Sequence, residues 1–306
     1  MVKFSGTILL LYILFKHNTL KLKTIYLLKI KNEKMYINIL KMEFKDIDLS
    51  ILNSLRRVIL TNIPSYSLDN FKVINNYSPF MDEYITQRLS LIPIFTKMAE
   101  KAPENLTFNL NVKGSSYEIK SIYSKDIKSS DGKKYFPENC LIMKLKGVPD
   151  RLESINIEMS LSRGTSEHSS KYSVVNVVSL NPISGKNSYI LDIEANEKQD
   201  AEMTFNQAVK VLIEKLENVR NLGPEKIKFM KLKTNFYEIT LLNENHTIGN
   251  LIKRHIDLNY PEINCGYFKP HPLIEEVRLK ITTGKPKDII IESCNELIKI
   301  LGKLSK

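Results

Sequence analysis

The segment Ile51-Leu-Asn53-Ser-Leu55-Arg56-Arg57-Val-Ile59-Leu-Thr-Asn62-Ile-Pro64 returns 197 residues later as Ile248-Gly249-Asn250-Leu-Ile252-Lys253-Arg254-His-Ile256-Asp-Leu-Asn259-Tyr-Pro261. Six of the fourteen positions are identical without a gap, and Arg56/Lys253 keep the charge. In the first copy Ile51, Leu55, Val58 and Ile59 fall on one helical face. Asp48 or Ser50 stands where an N-cap belongs, and Pro64 ends the helix. A repeat at this distance is not a solenoid period. It predicts two copies of one helical unit that pair about an internal pseudo-two-fold axis, as protomers of a homodimer do between chains. A pair of that kind is more often a scaffold than a catalyst.

Composition narrows the classes without choosing one. The 306 residues allow about two domains with adequate cores. Three cysteines, Cys140, Cys265 and Cys294, form no CxxC, which argues against a disulfide framework or zinc ribbon and for a reducing, intracellular compartment. The net charge of +11 invites a nucleic-acid reading, yet +6 of it lies in residues 1–34, where seven lysines meet one glutamate. The remaining charge is spread thinly, a weak predictor of phosphate binding. The apolar run at 8–15 is too short to span a bilayer, which takes about 20 residues, and no small-residue cleavage site follows it. Residues 1–34 therefore read as a membrane-surface segment, a family-specific extension, or a stretch upstream of a true start at Met35; we favour the last two.

Along the chain, residues 36–44 alternate as a strand and lead into the first repeat helix, with Arg56 and Arg57 off its apolar stripe, facing solvent or a partner. A second helix spans 80–89. Residues 93–150 read as an inserted β-rich module, with a strand at 106–112. The main theme resumes at 155–161. Phe205, Val209, Leu212, Leu216 and Val219 at 4-3-4-3 spacing predict a core helix. Residues 226–235 read as a basic linker. The tail, 236–306, is strand–helix–strand–helix, a unit of roughly 70 residues that needs a partner. No GxxxxGK, GxSxG or HExxH occurs, and the five histidines lack metal spacing. His168 reads as a structural loop residue, and His271, between two prolines, as part of a rigid turn.

The motifs then carry a resemblance. Asn53-Ser-Leu-Arg56-Arg57 with Ile63-Pro64, Asp82-Glu83-Tyr-Ile-Thr-Gln-Arg88 with Ile92-Pro93, and Arg163-Gly164-Thr-Ser-Glu167-His168-Ser-Ser-Lys171-Tyr172 resemble the larger assembly subunit of multi-subunit RNA polymerases. That family includes the bacterial alpha N-terminal domain, its archaeal D-type counterpart and the third subunit of polymerase II. Glu244-Asn-His246-Thr247-Ile-Gly249-Asn250 and Cys265-Gly266-Tyr267-Phe-Lys-Pro270-His271-Pro272-Leu273 resemble its smaller partner, the archaeal L-type polypeptide or the eleventh subunit of polymerase II.

The resemblance implies an α+β fold, an intramolecular pseudo-dimer of a D-like unit (35–92 and 151–225) and an L-like unit (236–306). The expected interface is Ile51, Asn53, Leu55 and Ile59 against Ile248, Gly249, Asn250, Ile252 and Ile256. Asn53 and Asn250 are expected to hydrogen-bond near the pseudo-dyad, and Gly249 to allow close helix approach. Arg56 and Arg57 would face the second-largest subunit, with Asp82, Glu83 and Arg88 supporting that contact or the local turn. The implied function is a non-catalytic platform for the two largest polymerase subunits and small polymerase subunits. DNA is met only through the complex, and no membrane is involved. Fusion of the two units is a feature of some large DNA viruses, with work in the cytoplasm, virion or nucleus. The cysteine cluster that some relatives carry in the insert is missing, so no metal or other cofactor is expected. The competing reading is a stand-alone basic nucleic-acid-binding cofactor of transcription.

Overall fold

The computed structural model describes residues 9–10, 21–32, 35–115, 118–148, 151–221, 223 and 226–304. Six helices are labelled here: α1 (Leu49–Thr61), α2 (Asp82–Ser90), α3 (Thr96–Ala99), α4 (Ala201–Arg220), α5 (His246–Asn259) and α6 (Pro286–Gly302). Strands are given by their residues.

Both repeat helices start on a side-chain cap. Asp48 accepts from the Ser50 amide at 2.8 Å, and Asn245 accepts from the Thr247 amide at 2.9 Å. Each cap is worth about 1 kcal/mol. The two caps are themselves 197 positions apart, so the repeat extends three residues upstream of the segment first noticed.

The sheets repeat as well. In the first, the order is Lys21–Asn32, Met35–Lys45, Ser188–Ala195, Val175–Pro182, with the short Leu9–Leu10 outermost. In the second it is Ile227–Lys233, Phe236–Leu242, Glu276–Thr282, Cys265–Phe268. All neighbours are antiparallel. Taken in that order, each unit reads as an outer strand, the strand that feeds the repeat helix, the strand that feeds the second long helix, and the strand that immediately precedes that one in sequence.

Two expectations change here. Residues 226–235, read as a linker, hold the edge strand Ile227–Lys233 and a two-residue hairpin turn with Asn235 at φ +57°, where asparagine is tolerated best after glycine. Lysines 228, 231 and 233 are exposed on this edge, the usual protection of an unpaired ladder, and they disguise the alternation. Residues 21–32 of the supposed extension pair along the whole of Met35–Lys45 and occupy the position that Ile227–Lys233 holds in the other unit. The run at 8–15 lies largely outside the described residues.

One hydrophobic core joins the two units. It takes Leu52, Leu55 and Val58 from α1, Phe205, Leu212 and Leu216 from α4, Ile248 and Ile252 from α5, and Cys294 and Leu297 from α6. The expected stripe of α4 is buried at every position, and α6 buries Ile290, Cys294, Leu297 and Leu301 along one face.

A second core holds Leu68, Ile85, Leu89, Phe108, Leu110, Tyr135, Leu145 and Ile157. It is wider than the predicted insert of 93–150. Strand Ser154–Thr165 pairs with Pro64–Asn76 on one side and Thr107–Lys113 on the other. The flanks that resemble the dimerisation theme in sequence thus belong by packing to the β-rich unit.

Candidate functional site

Helix α1 packs on α4 and α5, and α6 packs on α4 and α5, closing a four-helix layer between the two sheets. Ile51, Leu55, Ile59, Ile248, Ile252 and Ile256 are all buried in the shared core. Each contributes about 1.5–3 kcal/mol by leaving water, and that burial is what holds the halves together.

The polar residues near the axis behave differently from expectation. Asn53 accepts from Arg56 Nε at 3.0 Å within its own helix rather than across the dyad, and Asn250 is half-buried at the matching position. Gly249 allows a close approach, but of helix to sheet. A Cβ there would lie 2.7 Å from Val277 Cγ1 and 3.0 Å from Tyr267 Cδ2, both on strands of its own unit. Val277 is fully buried and branched, so it has little room to yield. Gly249→Ala is expected to destabilise the chain by about 1–3 kcal/mol through overpacking, despite a gain of up to ~1 kcal/mol in helix propensity. Urea titration of the two proteins checks this; a variant as stable as the parent refutes it.

Across the dyad, the repeated arginine makes a reciprocal contact. Arg57 Nε donates to Thr247 Oγ1 at 2.9 Å, and Arg254 Nε to Asp48 Oδ2 at 3.3 Å. Each guanidinium therefore reaches the first turn of the opposite helix. Partial burial pushes the Asp48 carboxyl up. Hydrogen bonds from the Ser50 hydroxyl and amide and from Arg254 outweigh that and hold it below the usual carboxylate range. A carboxyl depressed in the folded state adds stability above its unfolded pKa and loses it as pH falls through the folded one. Asp48→Asn is accordingly expected to flatten the acid limb of the stability–pH curve. Urea titrations between pH 2 and 6 measure it; parallel curves for variant and parent refute the coupling. Lys215 on α4 adds a further tie, 3.2 Å from Glu244 just before α5.

The five residues expected to face a partner do not form one group. Arg56 is half-buried and Arg57 exposed on α1. Asp82 and Glu83 are exposed in the first turn of α2, where acids complement the helix dipole, and Asp82 accepts from Asn76 Nδ2 at 2.7 Å. Arg88 is occupied internally. Its Nε donates to the Ile142 carbonyl, its Nη2 to the Leu141 carbonyl at 2.7 Å, and its guanidinium lies 5.8 Å from the Tyr84 ring centroid. It pins α2 to strand Leu141–Val148.

The Gly164-to-Tyr172 motif resolves into a clamp that sequence reading did not foresee. The Tyr172 ring lies flat on Gly164, where a Cβ would sit 2.6 Å from it. Asp69 receives Lys171 Nζ at 2.6 Å and the Ser162 hydroxyl at 2.9 Å, and Ser162 meets the Tyr172 hydroxyl at 2.7 Å. Glu167 fastens the same loop to the end of α1 through Asn62 Nδ2 at 2.7 Å. His168 is exposed. Nothing in the spacing of Asp69 and Ser162 signals this cluster; it exists because Pro64–Asn76 and Ser154–Thr165 are paired strands. Among the described residues no group of three or more His, Cys, Asp or Glu is placed to hold a metal ion, and no helix is long and apolar enough to cross a membrane.

Comparison with known proteins converges on the same two units. Residues 41–216 and, separately, 237–306 match the RNA polymerase Rpb3/Rpb11 dimerisation domain. An RPB3-11 homolog of DNA-directed RNA polymerase from African swine fever virus (isolate Tick/South Africa/Pretoriuskop) is 26% identical over 296 residues, covering 78% of each chain. The protein of the same description from a Kenyan pig isolate is 25% identical over 325 residues, covering 87% of this chain and 86% of that one. DNA-directed RNA polymerase subunit Rpo3 of Methanocaldococcus jannaschii is 29% identical over 171 residues, covering 56% of this chain and 83% of its own.

Proposed function

This chain belongs to the RNA polymerase Rpb3/Rpb11 dimerisation family, and from that premise we propose that it is the internally paired assembly platform of a DNA-directed RNA polymerase. The observation that carries the reading is the single core shared by two family-matching segments of one polypeptide. A pairing otherwise made between two chains is made here within one, at an effective concentration of roughly millimolar. The relatives that align along most of the chain are viral RNA polymerase components, which supports an intracellular workplace.

The finer assignment concerns the docking face. Arg56 and Arg57 stand beside the dyad with guanidinium forks suited to carboxylates or backbone carbonyls of a partner. Their Nε atoms are used inside the chain, and Arg57 is exposed while Arg56 is half-buried. We assign them to the second-largest polymerase subunit, with Asp82 and Glu83 on α2 as a separate acidic flank. Arg88 serves that flank indirectly, by fixing α2. The two largest subunits and small polymerase subunits are the expected partners, with DNA held only through the complex.

The test is affinity purification of the tagged chain from its native source at moderate salt, with mass spectrometry of what is retained. Near-equal recovery of two large polymerase subunits supports the platform. Recovery of DNA alone, falling steeply as salt rises, supports the competing nucleic-acid reading. A double Arg56→Glu, Arg57→Glu variant should retain at least about tenfold less of the second-largest subunit, which corresponds to about 1.4 kcal/mol. Wild-type recovery from that variant removes the two arginines from the interface.

A further inference from the structure

A polar cleft of about 370 Å³ opens at the seam between the two cores, lined among others by Leu91, Pro93, Lys171, Val175, Asn196 and Lys198. Its distinctive member is Lys198, which is only 4% exposed. The backbone there is tied down by hydrogen bonds. The Lys198 carbonyl accepts from the Thr96 amide at 3.0 Å, its amide donates to Asn196 Oδ1 at 3.0 Å, and Asn196 Nδ2 donates to the Ser173 carbonyl at 2.7 Å. The ammonium itself donates to the Lys171 carbonyl, and among the described residues it has no carboxylate partner. An ammonium has three donors and no acceptor, so two N–H bonds remain unspent in a buried position.

That arrangement is costly for the isolated chain. Burial, and then the neighbouring Lys171 charge, lower the Lys198 pKa to about 8. The Lys171 ammonium, itself paired with Asp69 at 2.6 Å, is a like charge and brings no counter-ion. A buried cation is ordinarily paired, and the missing element here is one negative charge. We propose that the cleft is a socket for a single carboxylate side chain, glutamate or aspartate, of a neighbouring polymerase subunit, with the Lys198 ammonium as its counter-ion. The inference rests on the assembly reading and extends it to a second contact, away from Arg56 and Arg57. The walls suit such a guest: Leu91, Pro93 and Val175 can cover an aliphatic stem.

Lys198→Met keeps an unbranched side chain, one atom shorter, and removes the charge. The variant and the parent, both tagged full-length chains, are purified with their polymerase subunits at moderate salt and also melted as isolated proteins. Carbodiimide coupling of the parent complex maps amide links between Lys198 and acidic residues. The socket predicts a link to another subunit, at least tenfold less of that subunit on the Lys198→Met chain, and an isolated variant that melts at or above the parent temperature. An unchanged subunit complement on Lys198→Met, above all with a lowered melting temperature of the isolated chain, overturns it, since Lys198 would then only brace the Lys171 loop. Equal subunit recovery with loss of bound nucleic acid overturns it in favour of phosphate. Absence of polymerase subunits from the parent itself removes the assembly reading and this inference together.

Discussion

Ile252→Asp is expected to unfold the dimerisation core of both halves in one transition. Ile252 lies on α5 with no exposed surface, inside a core that runs from Leu40 near the start of the chain to Leu304 near its end. The substitution forfeits about 1.5–3 kcal/mol of apolar burial and places a carboxyl where no partner exists, a penalty of several kcal/mol more even if it protonates. Domains of ordinary stability have about 5–15 kcal/mol in total. Because α1 packs on α5 and α4 on α6 within one core, the damage crosses the dyad. Hydrogen-exchange mass spectrometry reads it directly. Peptides of α1, α4, α5 and α6 should lose protection together, while peptides around Phe108, Leu110, Leu145 and Ile157, in the second core, keep theirs. Persistent protection of α1 and α4 would mean that the first half folds by itself and that pairing is a late, dispensable event.

What was legible in the sequence is what repeats or alternates. The apolar stripes of α1 and α5, the long α4 stripe and the pairing of two copies follow from spacing, because a helix face that has nothing else to cover it must meet its equivalent. The cross-dyad arginine contacts were within reach too. Arg57 aligns with Arg254, and Asp48 with Asn245, so a symmetric pair places each arginine near the opposite cap. The illegible parts have physical causes. Edge strands such as Ile227–Lys233 carry lysines where a central strand would carry apolar residues, so composition imitates a linker. The second core was underestimated because Ser154–Thr165 alternates in the same way whichever sheet it joins; only its pairing with Thr107–Lys113 decides. Gly249 announces a close approach without saying to what. Arg88 resembles a docking residue by type, and nothing in its spacing shows that its Nε and Nη2 donate to the Ile142 and Leu141 carbonyls.

A chain beginning at Met35 is expected to self-associate. Strand Lys21–Asn32 pairs from Lys21 opposite Lys45 to Asn32 opposite Met35, with one irregularity between Thr24 and Tyr26. Removing it converts Met35–Lys45 from an inner strand to an edge eleven residues long. Long, unprotected edges template pairing with other chains. The inner position shows in what Met35–Lys45 carries: Leu40, Met42 and Phe44 alternate into the core, and Lys41 and Glu43 occupy the other face in ion pairs with Asp192 and Lys45. The second unit supplies the control. There Ile227–Lys233 covers Phe236–Leu242 in the same way, and its exposed lysines make it a protected edge. Light scattering of the 35–306 chain at micromolar concentration should therefore report a shift of most of the protein into oligomers, with a lower melting temperature for what stays monomeric. Restoring residues 21–34 alone should reverse both effects, because the ladder and not the segment before it supplies the cover. A monodisperse 35–306 chain that melts with the parent would show instead that the first sheet closes without this strand, and that the correspondence between the two units ends at Met35.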